Sequence, residues 1–195
     1  MTKYFCIACN GLDEWLFGNP LTQCADFLNA HTPQGVHFNV IGGADPRPFI
    51  YQYEHNLAAA CAAGYQAIII GHSLGAMMMF YLADAMKKLE YRLPLVVSYD
   101  STDWGTNAPG TTPYAMGSAS AGYYFVPDNV DHWIHYRQPV YPGGGYAQLA
   151  PGNTSTKLEN YERTEAHVWI PVIPDIEQHV LTAILAVPGV QGLEA

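Results

Sequence analysis

Charge is scarce in this sequence. Of its 195 residues, 13% are Asp, Glu, Lys or Arg, about half the ~25% usual in a soluble domain. Positive charge is scarcest: eight Lys plus Arg stand against seventeen Asp plus Glu, giving a net charge of −9. No basic stripe is available to neutralise phosphates, so nucleic acid is not an expected partner. Long apolar runs are missing as well. The longest, Leu57–Ala63 and Ala76–Ala83, fall short of the ~18–20 residues that cross a bilayer, and no transmembrane segment is expected. The four cysteines are too few for a disulfide framework in a chain of this length. The apolar pentad Phe5-Cys6-Ile7-Ala8-Cys9 is too short for the ~7–15-residue core of a secretory leader. These absences point to a reducing, cytoplasmic setting with buried, structural thiols. Cys6 and Cys9, three apart on a strand, face opposite sides and cannot form a ligand pair.

What is abundant is apolar: 49% of the chain, which excludes disorder. The length fits one domain over 1–195. Short apolar runs ending in turns read as strands at Tyr4–Cys9, Val36–Ile41, Ala67–Ile70, Leu95–Tyr99 and Val130–Arg137, with a more polar edge strand at Thr156–Thr164. Helices fall between them. Asn19-Pro20 opens one as N-cap and N1 residue, and Gln52–Ala63 is closed by Gly64. Leu74–Glu90 is a third, with Leu74, Met78, Tyr81 or Leu82, Ala85 and Leu89 on one face and Asp84, Lys87 and Lys88 on the other. Pro174-Asp175 opens a last helix to about Val187, stopped by Pro188-Gly189. This alternation predicts an α/β, three-layer sandwich around a mostly parallel sheet of about six strands. Two stretches, 101–129 and 138–155, read as long loops.

The segment Ala67-Ile68-Ile69-Ile70-Gly71-His72-Ser73-Leu74-Gly75-Ala76 runs from a buried strand through G-x-S-x-G into the strongest helix. The bare pattern is only suggestive, but its setting makes it specific. A serine between strand and helix sits on a sharp, strained turn, and glycines two residues to either side prevent collision with strand and helix. The turn projects the Ser73 hydroxyl clear of the sheet. It also places the Leu74 N–H at a helix N-terminus, where it can donate to a developing oxyanion.

The elbow Gly71-His72-Ser73-Leu74-Gly75 resembles that of lipases and esterases of the α/β-hydrolase superfamily. The resemblance implies a minimal α/β-hydrolase fold without a cap domain, and a triad in the order nucleophile, acid, histidine. Ser73 is then the nucleophile. Asp100, directly ending the fourth strand, is the first choice of acid, with Asp103 as fallback; Asp128 and Asp131 lie at or near the wrong end of the fifth strand. His167, ahead of the Pro174 helix, is the first choice of base and His179 the second. His72 is expected to point away from the serine hydroxyl as a packing residue. His132 and His135 face opposite ways and share no metal. The second oxyanion donor of the superfamily comes from the loop after the first central strand, here Asn10-Gly11-Leu12-Asp13, with Leu12 the first choice and Gly11 or Asp13 open. No cofactor or metal is implied.

The two long loops carry aromatic residues, among them Trp104, Tyr123, Tyr124 and Phe125, that could line an apolar acyl pocket or could equally pack the loops onto the domain. Cap-poor relatives that the chain resembles include cutinase-like esterases, class 3-type lipases and phage-encoded esterases of cell-wall mycolyl esters. The implied activity is hydrolysis of a small acyl or lipid ester. The alternatives are thioesterase, amidase or acyltransferase chemistry on the same triad, or a non-catalytic member of the fold that binds a ligand or partner.

Overall fold

The computed structural model describes residues 2–11, 18–41, 49–101, 123–139 and 145–191. Along the chain the elements are β1 (Lys3–Cys9), α1 (Pro20–His31), β2 (Phe38–Ile41), α2 (Ile50–Ala62), β3 (Tyr65–His72), α3 (Leu74–Lys88) and β4 (Leu93–Tyr99). They continue as β5 (Tyr123–Val126), β6 (Val130–Arg137), β7 (Tyr146–Leu149), β8 (Lys157–Glu162), a 3₁₀ helix (His167–Val172) and α4 (Pro174–Leu185). Six strands form one sheet in the order β2-β1-β3-β4-β6-β8, and every pairing is parallel. Five of the six strands are those expected from the apolar runs, and β8 is the polar edge strand expected at Thr156–Thr164.

Residue parity divides the core between the two faces of the sheet. Cys6, Ala8, Ile68, Ile70, Val97 and Tyr136 face α1 and α4, whereas Ile7, Cys9, Ala67, Ile69, Val96 and Trp133 face α2 and α3. Burial on both faces removes any need for polar alternation, which is why the inner strands are apolar throughout. Cys6 and Cys9 thus lie in different halves of the core, and burial pushes both thiols up to about 12. Such thiols are inert at neutral pH.

Two expectations are corrected. The stretches 101–129 and 138–155 are not wholly loop: they contain β5 and β7, which pair with each other in parallel from Tyr123↔Tyr146 to Val126↔Leu149. These strands lie on the crossovers from β4 to β6 and from β6 to β8, and their Tyr124, Val126 and Ala147 complete the core on the α3 face. Four residues in each, set among Gly and Pro, leave too short a pattern to read as a strand. Asn160 of β8 docks this ribbon through its side-chain amide, accepting from Ala147 N–H (3.2 Å) and donating to Ala147 C=O (3.0 Å). The second correction concerns α3, which is not two-faced. Leu74 through Phe80 are all buried, while Leu89 at its C-cap is exposed. Sheet, α2 and β5 enclose the helix on several sides, so apolar residues are accommodated around most of it.

At the end of the sheet where the strands begin, the Tyr4 hydroxyl donates to the Pro188 carbonyl (2.5 Å). A Cβ on Gly189 would lie 3.0 Å from the Thr2 hydroxyl and 3.1 Å from that of Tyr4. The segment after α4 is thereby fastened to β1. No helix among the described residues is long and apolar enough to cross a membrane.

Candidate active site

The strand order reverses at β1, whose neighbours β2 and β3 lie on opposite sides. In open parallel sheets ligands bind at the carboxyl ends of strands beside such a reversal. Ser73 sits there, between the end of β3 and the start of α3. Its N–H donates to Tyr99 C=O (2.9 Å), extending the β3–β4 pairing into the turn, and its C=O accepts the first helical bond from Met77 N–H (3.2 Å). Its backbone is at φ 56°, ψ −121°, and its side chain makes no capping bond to the helix. For a non-glycine residue this conformation is strained.

Close packing explains both glycines of the motif. A Cβ on Gly71 would lie 2.5 Å from Gly75 C=O oxygen, and one on Gly75 would lie 2.1 Å from the Cys9 carbonyl oxygen and 2.5 Å from that of Asn10. The first turn of α3 is thereby seated on the end of β1. Leu74, as the first helical residue, has an N–H without an intrahelical acceptor. Leu12, Asp13 and Trp104, with the fallback acid Asp103, lie outside the described residues.

Asp100 follows β4 and is fully buried, with φ 47°. Its N–H donates to Tyr136 C=O (2.7 Å). Its Oδ1 accepts from Gln138 N–H (2.8 Å), and its Oδ2 lies 2.6 Å from His167 Nδ1. A buried carboxylate is tolerated when both oxygens are bonded in this way. With the Nδ1 proton directed to Asp100, the neutral His167 ring keeps Nε2 as a proton acceptor.

His167 opens the 3₁₀ helix, whose Ile170 and Pro171 are buried. Arg163 braces the preceding segment, bonding Glu165 through Nη2 (2.7 Å) and Asp175 of α4 through Nη1 (2.9 Å). The competing residues have other partners. Asp128 pairs with Lys87 (2.8 Å) and Asp131 with Arg92. His179 meets the Tyr136 hydroxyl (2.5 Å) and Glu159 (3.4 Å).

His72 is placed differently from the expectation of a mere packing residue. Its Nε2 is 2.9 Å from the His167 carbonyl oxygen, and the two imidazole centroids are 4.7 Å apart. Of the expected pocket aromatics, Tyr124 is buried, stacked on Phe80 at 4.9 Å, with its hydroxyl donating to Ser101 C=O (3.3 Å). Phe125 is half-buried, and Tyr123 opens β5. Sequence reasoning also missed three polar residues just past β1, β4 and β6. Asn10 Oδ1, Ser101 Oγ and Gln138 Oε1 are buried without a hydrogen-bond partner among the described residues, an arrangement that costs about 1–3 kcal/mol per group unless water or ligand satisfies it.

No family model matches the sequence, and no curated protein matches it. Solved structures do match in fold. One from Xanthomonas campestris pv. campestris, assigned to the hydrolases of the alpha/beta superfamily, superposes with a TM-score of 0.54 at 12% identity, covering 94% of this chain and 99% of that one. The RedJ thioesterase of the prodiginine biosynthetic pathway in Streptomyces coelicolor gives 0.53 at 10% identity, covering 92% and 90%. The NocB thioesterase domain, solved as a covalent complex with a fluorophosphonate nocardicin G analog, gives 0.51 at 15% identity, covering 96% of each chain. The six-stranded parallel sheet, its flanking helices and these superpositions establish that this chain has the α/β-hydrolase fold.

Proposed function

We propose that the protein is a serine hydrolase that cleaves acyl esters through Ser73, His167 and Asp100. The observation that carries the proposal is the pairing of His167 Nδ1 with the buried Asp100 carboxylate (2.6 Å) at the strand ends that also carry the strained Ser73 turn. Asp100 fixes the imidazole tautomer. His167 Nε2 then takes the Ser73 proton as Oγ attacks the acyl carbon, and it returns that proton to the leaving alkoxide as the ester C–O bond breaks. Water, deprotonated by the same imidazole, attacks the acyl-enzyme and releases the acid with Ser73 restored. The Leu74 N–H at the start of α3 supports the oxyanion, and Leu12 N–H is the proposed second donor.

The same steps cleave a thioester, with thiolate as leaving group. The RedJ and NocB structures, both thioesterases by description, favour that second reading. A fluorophosphonate probe, followed by paired p-nitrophenyl ester and acyl-thioester assays, tests both. Labelling confined to Ser73 is expected, with turnover lost by on the order of 10³-fold or more in Ser73→Ala and His167→Ala and the Tm nearly unchanged in Ser73→Ala, which leaves the buried Asp100–His167 pair intact. Folded protein that leaves Ser73 unlabelled would indicate a non-catalytic member of the fold.

A further inference from the structure

We infer that His72, the residue immediately before Ser73, is a positioning residue that sets the place of the base His167. This rests on the reading of Ser73, His167 and Asp100 as the reacting groups. A carbonyl oxygen only accepts, so the 2.9 Å contact requires that His72 Nε2 carry a proton and donate it to His167 C=O. The same ring lies against the His167 imidazole, with centroids 4.7 Å apart and planes inclined by 32°. One side chain therefore holds both the backbone and a ring face of the base.

His167 stands 95 residues from His72 in sequence, on a 3₁₀ helix beyond the edge strand β8. Asp100 fixes its ring at one atom, Nδ1, and a single hydrogen bond leaves rotation about itself. The contacts from His72 supply the further constraints, and they come from the neighbour of the nucleophile, whose Cα is ~3.8 Å from that of Ser73 by covalent geometry. The position of the base relative to Ser73 is thus referred directly to the nucleophile's own strand. His72 is itself rigidly held: it pairs with Tyr99 in the sheet and is almost wholly buried.

Two variants separate this role from packing. His72→Gln places an amide N–H at nearly the reach of Nε2 without the ring, and His72→Phe keeps the ring without the donor. The measurements are kcat and KM on a p-nitrophenyl ester, the Tm, and the proton NMR signal of the hydrogen between His167 and Asp100. For His72→Phe a kcat loss of about 10- to 100-fold is expected with KM little changed, the scale for a misplacement near 1 Å. Its downfield imidazole proton should broaden or exchange faster, while His72→Gln recovers most of both. Folded His72→Phe with wild-type kcat and an unaltered proton signal overturns the inference, as does equal impairment of both variants. If the wild type proves inactive, the ester reading fails, and the NMR comparison still decides whether His72 positions His167.

Discussion

Ser73 is held at φ 56°, ψ −121°, a conformation that glycine adopts without a Cβ clash. Strain of this kind costs about 1–3 kcal/mol, offset in part by the extra unfolded-state freedom of glycine. Ser73→Gly should therefore abolish turnover while raising stability, with a Tm gain of about 2–4 °C for a net 1 kcal/mol. A lower Tm in calorimetry would show that the turn is not strained. The opposite is expected two residues on, within the first turn of the helix. In Gly75→Ala the new methyl meets the Cys9 and Asn10 carbonyls, backbone that cannot swing aside, so Tm should fall with a cost of about 1–3 kcal/mol or more. At this scale the sequence was informative where a contact is local. Gly71, Ser73 and Gly75 stand within five residues, and their spacing carries the turn. The bond from His72 to the His167 carbonyl leaves no such trace, because the acceptor is a backbone atom that any residue would supply.

Between elements, β4 and β6 share a buried polar chain whose direction is fixed by its donors. Trp133 Nε1–H donates to Ser98 Oγ (2.8 Å) and His135 Nε2–H donates to Gly145 C=O (2.8 Å), which leaves Nδ1 of the neutral ring to accept the Ser98 hydroxyl proton (2.7 Å). His135 is neutral in this chain, and burial pushes its pKa down to about 4. An unfolded histidine titrates near ~6.5. Between those values the unfolded chain binds a proton that the native protein does not, so stability is complete above ~6.5 and falls with pH, by at most roughly 1.4 kcal/mol per unit. His132, also held below its ordinary value mainly by burial, adds to the same window. Glu159, lowered to about 2, acts only below the ordinary carboxylate range. Urea unfolding at pH 7 and pH 5 should show a smaller drop in His135→Asn than in wild type, and equal drops would refute the neutral assignment. The long elements were readable because Ile68–Ile70 and Val96–Val97 are buried on both sides of the sheet. The ribbon of β5 and β7 was not: Tyr124 looks like a pocket aromatic until Phe80 is found beneath it. Leu89 was misjudged because periodicity continues past the point where the packing partners end.

Across the whole molecule, parallel pairing brings the carboxyl ends of the strands to one pole, and Ser73, Asp100 and His167 all lie there. The fold class and strand set were legible in the sequence because burial on both faces imposes apolar runs. The crossovers were not, since a strand and an irregular segment of the same composition differ only in their partners. The link from Tyr4 to Pro188 lies at the opposite pole, where the two stretches of chain run side by side. Tyr4→Phe, which loses this bond, should lower stability by about 0.5–1.5 kcal/mol while keeping the wild-type kcat, as read by urea unfolding and an ester assay. A Tyr4→Phe variant that folds but is inactive would show that the two poles are coupled. The same geometry makes this pole a handle for immobilisation, since a tether fixed there would leave the reacting end turned toward solution.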